Sequence, residues 1–149
     1  FYFKSKDELA IAAISYYREK LLDKLETFST DRNWEDFLGD AFAYLENQSA
    51  DPALWGCPFA VMGMELALQK ADIAQRDLDG IKQLQALFHR VLLQSGLSQP
   101  HADVLSERLV AVYQGSLLLG RIGQDRARLK YAKESMLQIY KEYRAFHAA

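Results

Sequence analysis

The chain has 149 residues, half of them hydrophobic and 26% charged, with a net charge of −2. This length supports one domain with a buried core, and the small net charge excludes a uniformly basic surface for nucleic acid or anionic membranes. The single cysteine excludes an internal disulfide framework and fits a reducing compartment. The longest strongly apolar run, about Pro58 to Leu68, is too short to span a bilayer. We therefore expect a cytoplasmic protein with no membrane partner.

The first helix is predicted to begin in Ser5-Lys6-Asp7-Glu8, which has the spacing of a capping box. In that motif the Ser5 hydroxyl accepts a hydrogen bond from the N–H of Glu8, and the Glu8 carboxylate accepts one from the N–H of Ser5. An apolar stripe at helical spacing extends the helix to about Phe28. Phe1-Tyr2-Phe3 precedes this start. We expect these residues to end an earlier helix and the chain to be a fragment of a longer one.

Five further helices are predicted from apolar residues that recur every three or four positions. Residues 29–33 offer turn and N-cap chemistry before the second helix. Gly96 is a natural C-cap for the fourth helix, and Pro100 lies near the start of the fifth. No stretch alternates like a strand, so the sequence predicts one all-α domain of six helices. The helices after the first cover about 34–47, 58–70, 74–95, 100–122 and 129–146.

The last two predicted helices carry more apolar surface than one subunit is expected to bury. From Leu109 to Leu119 the fifth helix has almost no polar face, and its small residues allow close approach of a second helix. The apolar residues of the sixth helix have the alternating spacing of a coiled-coil-like seam. Both features predict a homodimer. The predicted interface residues are Leu105, Leu109, Val112, Ser116, Gly120, Leu129, Met136, Ile139 and Tyr143.

No catalytic or metal-binding arrangement is visible in the sequence. His89, His101 and His147 are far apart along the chain and form neither an HExxH nor an ExxH pair. Each is expected to be exposed or to cap a helix. Glu65 and Asp72 fall on different helical faces and form no obvious acid–base pair. We therefore expect a protein that is not an enzyme and that needs no metal or cofactor.

Aromatic and methionine side chains from several helices predict either a filled core or a pocket for an apolar ligand. At helical spacing such side chains usually fill cores, but apolar pockets have similar linings with a few polar groups among them. Glu65, in the apolar segment FAVMGMELAL, is either such a polar group or an edge residue that reaches solvent or an Arg. The candidate pocket residues are Tyr17, Phe42, Trp55, Phe59, Met62, Glu65, Phe88 and Tyr113.

Cys57 in the segment WGCPF has two interpretations. Pro58 is favoured at the first helical position, which would place Cys57 at the N-cap. There the helix dipole can lower the pKa of a thiol and make it reactive. Alternatively, Cys57 is a small buried residue at a helix start, where burial would raise the pKa and block access.

Three segments resemble the TetR family of transcriptional repressors. YFKSKDEL is similar to the junction that ends the family's recognition helix and opens its long connecting helix. WGCPFAVMGMEL resembles the Gly-Cys segment that starts the sixth helix, and VYQGSLLLGRI resembles the penultimate helix. The resemblance implies that residues 5–149 are the ligand-binding and dimerisation domain. It also implies that the last two helices form a four-helix bundle with those of a second subunit.

The resemblance further implies what the intact protein does. Residues 1–4 would be a remnant of the recognition helix of a DNA-binding domain absent from this chain. Tyr2 and Lys6 occupy positions that contact DNA phosphates. The expected function is release of operator DNA when a small, mainly apolar effector enters a pocket that also includes Leu117. The alternatives are an electrophile or redox sensor acting through Cys57 and a purely structural dimerisation module.

Overall fold

The computed structural model describes residues 3–48 and 68–147, and all regular structure in these ranges is helical. The all-α fold class is therefore confirmed. The third predicted helix, from Pro58 to about Lys70, lies mostly outside the described residues, and residues 68–70, which the structure does describe, are not helical. The five helices are α1 (Lys6–Ser29), α2 (Trp34–Gln48), α3 (Ala71–Gln94), α4 (Gln99–Gly123) and α5 (Ala127–His147).

The start of α1 follows half of the predicted capping box. The Ser5 hydroxyl accepts a hydrogen bond from the Glu8 N–H at 3.1 Å, as the motif requires. The Glu8 carboxylate, however, accepts from the backbone N–H of Lys4 instead of that of Ser5. The predicted position of the helix start is correct, and the return bond is displaced by one residue.

The connection between α3 and α4 also stabilises the start of α2. Gly96 has φ +88°, and its N–H donates to the Leu93 carbonyl while the Leu97 N–H donates to the Leu92 carbonyl. This is the Schellman pattern expected of a glycine C-cap. The Ser95 hydroxyl accepts from the Trp34 N–H and donates to the Val91 carbonyl, both at 2.7 Å. The end of α3 is therefore tied to the first residue of α2.

Ion pairs at both ends show that α1 and α3 run parallel. Near their N-termini, Lys70 Nζ lies 2.6 Å from the Asp7 carboxylate. Near their C-termini, the Arg90 guanidinium lies 2.7 Å from the Glu26 carboxylate and 2.9 Å from the Ser29 hydroxyl. Side-chain contacts thus join the two helices near both of their ends. A movement of α3 or of its neighbours is therefore expected to be transmitted to α1.

α3 and α4 form one antiparallel pair, and α4 and α5 form another. His89 of α3 contacts Asp103 near the start of α4, with Nε2 2.9 Å from the carboxylate. His101 Nδ1 lies 3.0 Å from the Tyr143 hydroxyl near the end of α5. Gly120 allows the close turn from α4 to α5, because a Cβ there would lie 3.1 Å from the Arg128 Cβ and 3.3 Å from the Asp125 carbonyl oxygen.

The core is centred on Trp34, which is fully buried at the N-terminus of α2. Its ring lies edge-on to Phe88 with centroids 5.2 Å apart, and it also contacts Phe37 and Tyr140. Contacts continue from Phe88 to Tyr113 at 6.1 Å and from Tyr113 to Phe42 at 6.2 Å. Aromatic side chains of α2, α3, α4 and α5 thus form one connected network through the domain.

Candidate functional site

A small apolar cavity of about 10 Å³ lies beside this aromatic network. This volume is at the lower limit of what a single water molecule needs. Because the lining is apolar, the cavity is expected to be dry. The lining residues come from α1 to α4: Leu25, Phe37, Leu38, Ala41, Phe42, Leu45, Leu84, Phe88 and Tyr113.

Three of the predicted pocket residues lie around this cavity. Phe42, Phe88 and Tyr113 are buried, and each contributes to the lining. Leu117, one turn beyond Tyr113 on α4, is also buried but is not part of the lining. Tyr17 is 48% exposed on α1 and does not line this cavity, and its place in a ligand pocket stays a prediction. Its ring stacks edge-on with that of Tyr16 instead.

Several other predictions concern residues that the structure does not describe. The predicted pocket residues Trp55, Phe59, Met62 and Glu65, the candidate thiol Cys57 and the predicted DNA-phosphate contact Tyr2 lie outside the described ranges. Lys6 is the first residue of α1 and is exposed. Its contact with phosphate stays a prediction.

Three side chains in the interior have buried polar atoms for which no bonding partner is found within residues 3–48 and 68–147, and one of these atoms is the indole Nε1 of Trp34. Asp77 of α3 is 1% exposed, and both of its carboxylate oxygens are buried without a hydrogen bond. The amide oxygen and nitrogen of Gln114 on α4 are buried in the same way. Buried polar groups are normally hydrogen-bonded, so each exception is a candidate ligand contact.

Burial also changes the acidity of Asp77. Loss of solvation raises the pKa of its carboxyl from 3.8 to about 6, and the positive charge of Arg18 on α1 lowers that pKa by a smaller amount. Arg18 forms no ion pair with Asp77 in the part of the chain that the structure describes. The carboxylate therefore remains without a countercharge in direct contact.

Sequence reasoning missed Asp77 and Gln114, although one signal was present. Asp77 lies four residues after Ile73 and seven before Leu84, which are both buried positions of α3. A charged residue in the register of the apolar stripe is a reason to expect a buried polar group. Gln114 gives no comparable signal, because it lies at the flank of the buried stripe of α4.

The predicted dimer interface stays a prediction, but several of its residues are already buried within one subunit. Leu105, Leu109 and Met136 have no exposed surface within one subunit, and Gly120 is also buried. A fully buried side chain has no surface that a partner could cover, so these residues belong to the subunit core. Five of the predicted residues are partly exposed: Val112, Ser116, Leu129, Ile139 and Tyr143.

A different apolar surface on the same two helices is exposed. On α4, Leu119 is 54% and Ile122 73% exposed, three residues apart on one stripe. On α5, Tyr131 is 54% and Phe146 80% exposed, on one stripe with the half-buried Ile139. We call these five residues the α4–α5 apolar surface. Ile139 is also one of the interface residues predicted from the sequence.

The histidines include a pair that is distant in sequence and close in space. The His101 and His147 rings lie 4.5 Å apart, between the start of α4 and the end of α5. In residues 3–48 and 68–147 no group of three or more His, Cys, Asp or Glu side chains could hold a metal ion. No helix in these ranges is long and apolar enough to cross a membrane.

Comparisons with known proteins agree with this architecture. Residues 42–135, more than half of the chain, match the family described as "Transcriptional regulator LmrA/YxaF-like, C-terminal domain". The fold is similar to that in the crystal structure of a TetR transcriptional regulator from Legionella pneumophila, with a TM-score of 0.78 at 18% identity. That similarity covers 91% of this chain and 74% of the other. Comparison with curated proteins gives no match.

The fold and the family match define a regulatory domain with a ligand-binding and dimerisation role. The chain belongs to the TetR family of transcriptional regulators, within the LmrA/YxaF-like group. This membership points to a regulator that is not an enzyme.

Proposed function

We propose that this chain binds a small, mainly apolar effector inside each subunit of a homodimer, and that binding makes the intact cytoplasmic repressor release operator DNA. The observation that carries the proposal is the family match over residues 42–135. This segment contributes Phe42, Leu84, Phe88 and Tyr113 to the aromatic cavity.

Ligand binding requires the cavity to open. At about 10 Å³ the described cavity is far too small for an organic effector. Entry of a ligand would separate the Phe42, Phe88 and Tyr113 rings, whose edge-on contacts are about 6 Å between centroids. The effector would thus stabilise an expanded state that differs from the compact one described here.

The route from the cavity to DNA would be α1. Leu25 of α1 lines the cavity, and ion pairs join α1 to the region of α3 at both ends. Expansion of the cavity would therefore shift α1 and its first residue, Lys6. In the intact dimer such shifts would change the spacing of two DNA-binding domains that must match one DNA turn.

Dimerisation would use the α4–α5 apolar surface. Exposed side chains as large as Ile122 and Phe146 on neighbouring helices are typical of a protein interface. Two copies of these helices related by a two-fold axis would form a four-helix bundle.

The test is a thermal shift with 1-naphthylmethanol, an uncharged bicyclic probe. Binding should raise the melting temperature of the wild type in a saturable manner. Ala41→Leu places extra volume at the buried cavity lining and should abolish the shift. Ala43→Leu makes the same change at an exposed position of α2 and should retain it. No shift in the wild type, or an equal shift in both variants, would contradict binding in this cavity.

A further inference from the structure

Asp77 and Gln114 lie at the same level of the α3–α4 pair. His89 and Asp103 are in contact and fix the register of these antiparallel helices. Asp77 precedes His89 by twelve residues, and Gln114 follows Asp103 by eleven. At 1.5 Å per residue, Asp77 lies about 17 Å along α3 from His89, and Gln114 lies about 17 Å along α4 from Asp103. Because the helices are antiparallel, both residues lie toward the same end of the pair.

Both residues also lie on the sides of their helices that meet in the interior. Gln114 follows Asp103 by eleven positions, which is about three turns, so it lies on the α4 stripe that faces α3. Asp77 is in the register of the buried residues Leu84 and Phe88. Asp77 and Gln114 therefore lie at one level on the inward-facing sides of α3 and α4, and both have buried polar atoms that lack partners in the described ranges.

Asp77 and Gln114 do not line the aromatic cavity, but residues near both of them do. Leu84, which lines the cavity, lies seven residues from Asp77 on the same face of α3, or about 10 Å along the helix. Tyr113, another lining residue, is adjacent to Gln114 in sequence. A ligand could thus contact the polar pair at one end and the aromatic network at the other.

The chemistry of the pair indicates what such a ligand carries. An ionised carboxylate only accepts hydrogen bonds, and burying it without a countercharge is costly. Gln114 offers an amide oxygen as a further acceptor. A ligand with several N–H donors and a positive charge would satisfy both residues, whereas a ligand carboxylate would be repelled by Asp77.

We propose that Asp77 and Gln114 are the polar end of the effector site, and that the effector is a protonated amine on an aromatic or aliphatic body. The ammonium group would bind the Asp77 carboxylate and donate a second hydrogen bond to the Gln114 amide oxygen. The apolar body would lie against Leu84 and Phe88. This inference rests on the proposed effector-binding function and names the class of ligand.

The test compares 1-naphthylmethylamine, which is protonated at pH 7.5, with 1-naphthylmethanol of nearly the same shape. Calorimetric titration of the wild type should show that the amine binds at least tenfold more tightly than the alcohol. Asp77→Asn should reduce this preference to less than twofold and leave the affinity for the alcohol nearly unchanged. Gln114→Leu should weaken amine binding several-fold.

The matched control is Asp79→Asn, which removes the same charge from an exposed position two residues away. It should retain the full preference for the amine. Circular dichroism shows whether each variant is folded, and Asp77→Ser replaces Asp77→Asn if the latter is not. A preference retained in the Asp77 variants would overturn the assignment.

Measurements on the wild type alone distinguish a wrong ligand class from a failure of effector binding. Binding of the alcohol with no preference for the amine would overturn the ligand class and leave effector binding supported. If neither probe binds, both the cavity as an effector site and the ligand class are contradicted.

Discussion

Replacing Asp77 with Asn should change how the stability of the domain depends on pH. In the native state the Asp77 carboxyl is buried, and its pKa is raised from 3.8 to about 6. The unfolded chain lacks this burial and ionises near the ordinary value. The native state therefore holds the proton more strongly than the unfolded state, and ionisation of Asp77 above pH 6 destabilises the fold.

The magnitude follows from the interval between the two pKa values. At about 1.4 kcal/mol for each pH unit, the interval from 3.8 to about 6 corresponds to about 3 kcal/mol of destabilisation at pH 7.5. As pH falls from about 6 to 4, the native carboxyl takes up its proton first, and the destabilisation falls below about 1 kcal/mol. Asp77→Asn removes this dependence. If the amide introduced by this substitution is unpaired, it lowers the free energy of unfolding by about 1–3 kcal/mol at every pH.

The measurement is urea unfolding of the wild type and Asp77→Asn at pH 7.5 and pH 4, at one fixed protein concentration. The free energy of unfolding of the variant minus that of the wild type should be about 2 kcal/mol larger at pH 7.5 than at pH 4. The corresponding difference for Asp79→Asn, at an exposed position of the same helix, should change little with pH. An equal change for both variants would refute the burial of an ionised Asp77.

Three further predictions test the core, the helix connection and the dimer. Phe88→Ala should lower the free energy of unfolding by about 3–5 kcal/mol in urea denaturation, because Phe88 links the central aromatic rings; a loss under 1 kcal/mol would mean that the ring is not packed as described. Ser95→Ala should cost about 1 kcal/mol through loss of the bond to the Trp34 N–H. Ser98→Ala should lower the free energy of unfolding by less, since the Ser98 side chain makes no capping bond. Equal losses for the two variants would contradict the role given to Ser95. Leu119→Glu should convert the dimer to a monomer of 17.0 kDa in light scattering, whereas Leu78→Glu, exposed on α3, should leave it dimeric.

Local signals in the sequence were sufficient for most of the fold. The Ser5 cap, the Gly96 C-cap and the position of Pro100 near the start of α4 are all found where the sequence predicts them. These features depend on residues close together in the chain, so their geometry follows from the motif itself. The start of α3 was placed three residues late, because its N-cap residue, Lys70, makes no side-chain capping bond and gives no start signal in the sequence.

The division between core and surface was harder to predict. Leu105 and Leu109 were assigned to a dimer interface because their helix is apolar nearly all round with a stripe of small residues, and Met136 because the spacing of its helix resembles a coiled-coil seam. The same spacing packs α4 and α5 against each other and the core within one subunit. Periodicity identifies an apolar face, but it does not say which neighbour covers that face. The exposed residues Leu119, Ile122 and Phe146 could be separated from the buried ones only in three dimensions.

Part of the apolar lining of the cavity was predicted, whereas the buried polar residues Asp77 and Gln114 were not. Phe42, Phe88 and Tyr113 were expected to share one interior, and they line the same cavity. Asp77 and Gln114 lie at the same height along the helix pair only because of the register between α3 and α4. Contacts such as that of His89 with Asp103 fix this register. No local pattern in either helix contains that register.

The most direct test of the effector-binding dimer is native mass spectrometry of the chain with saturating 1-naphthylmethylamine. The wild type is predicted to give a species of twice 17.0 kDa that carries two ligands, and at subsaturating amine the Asp77→Asn dimer should carry fewer ligands than the wild-type dimer. A monomer, or a wild-type dimer that takes up no ligand, would contradict the account.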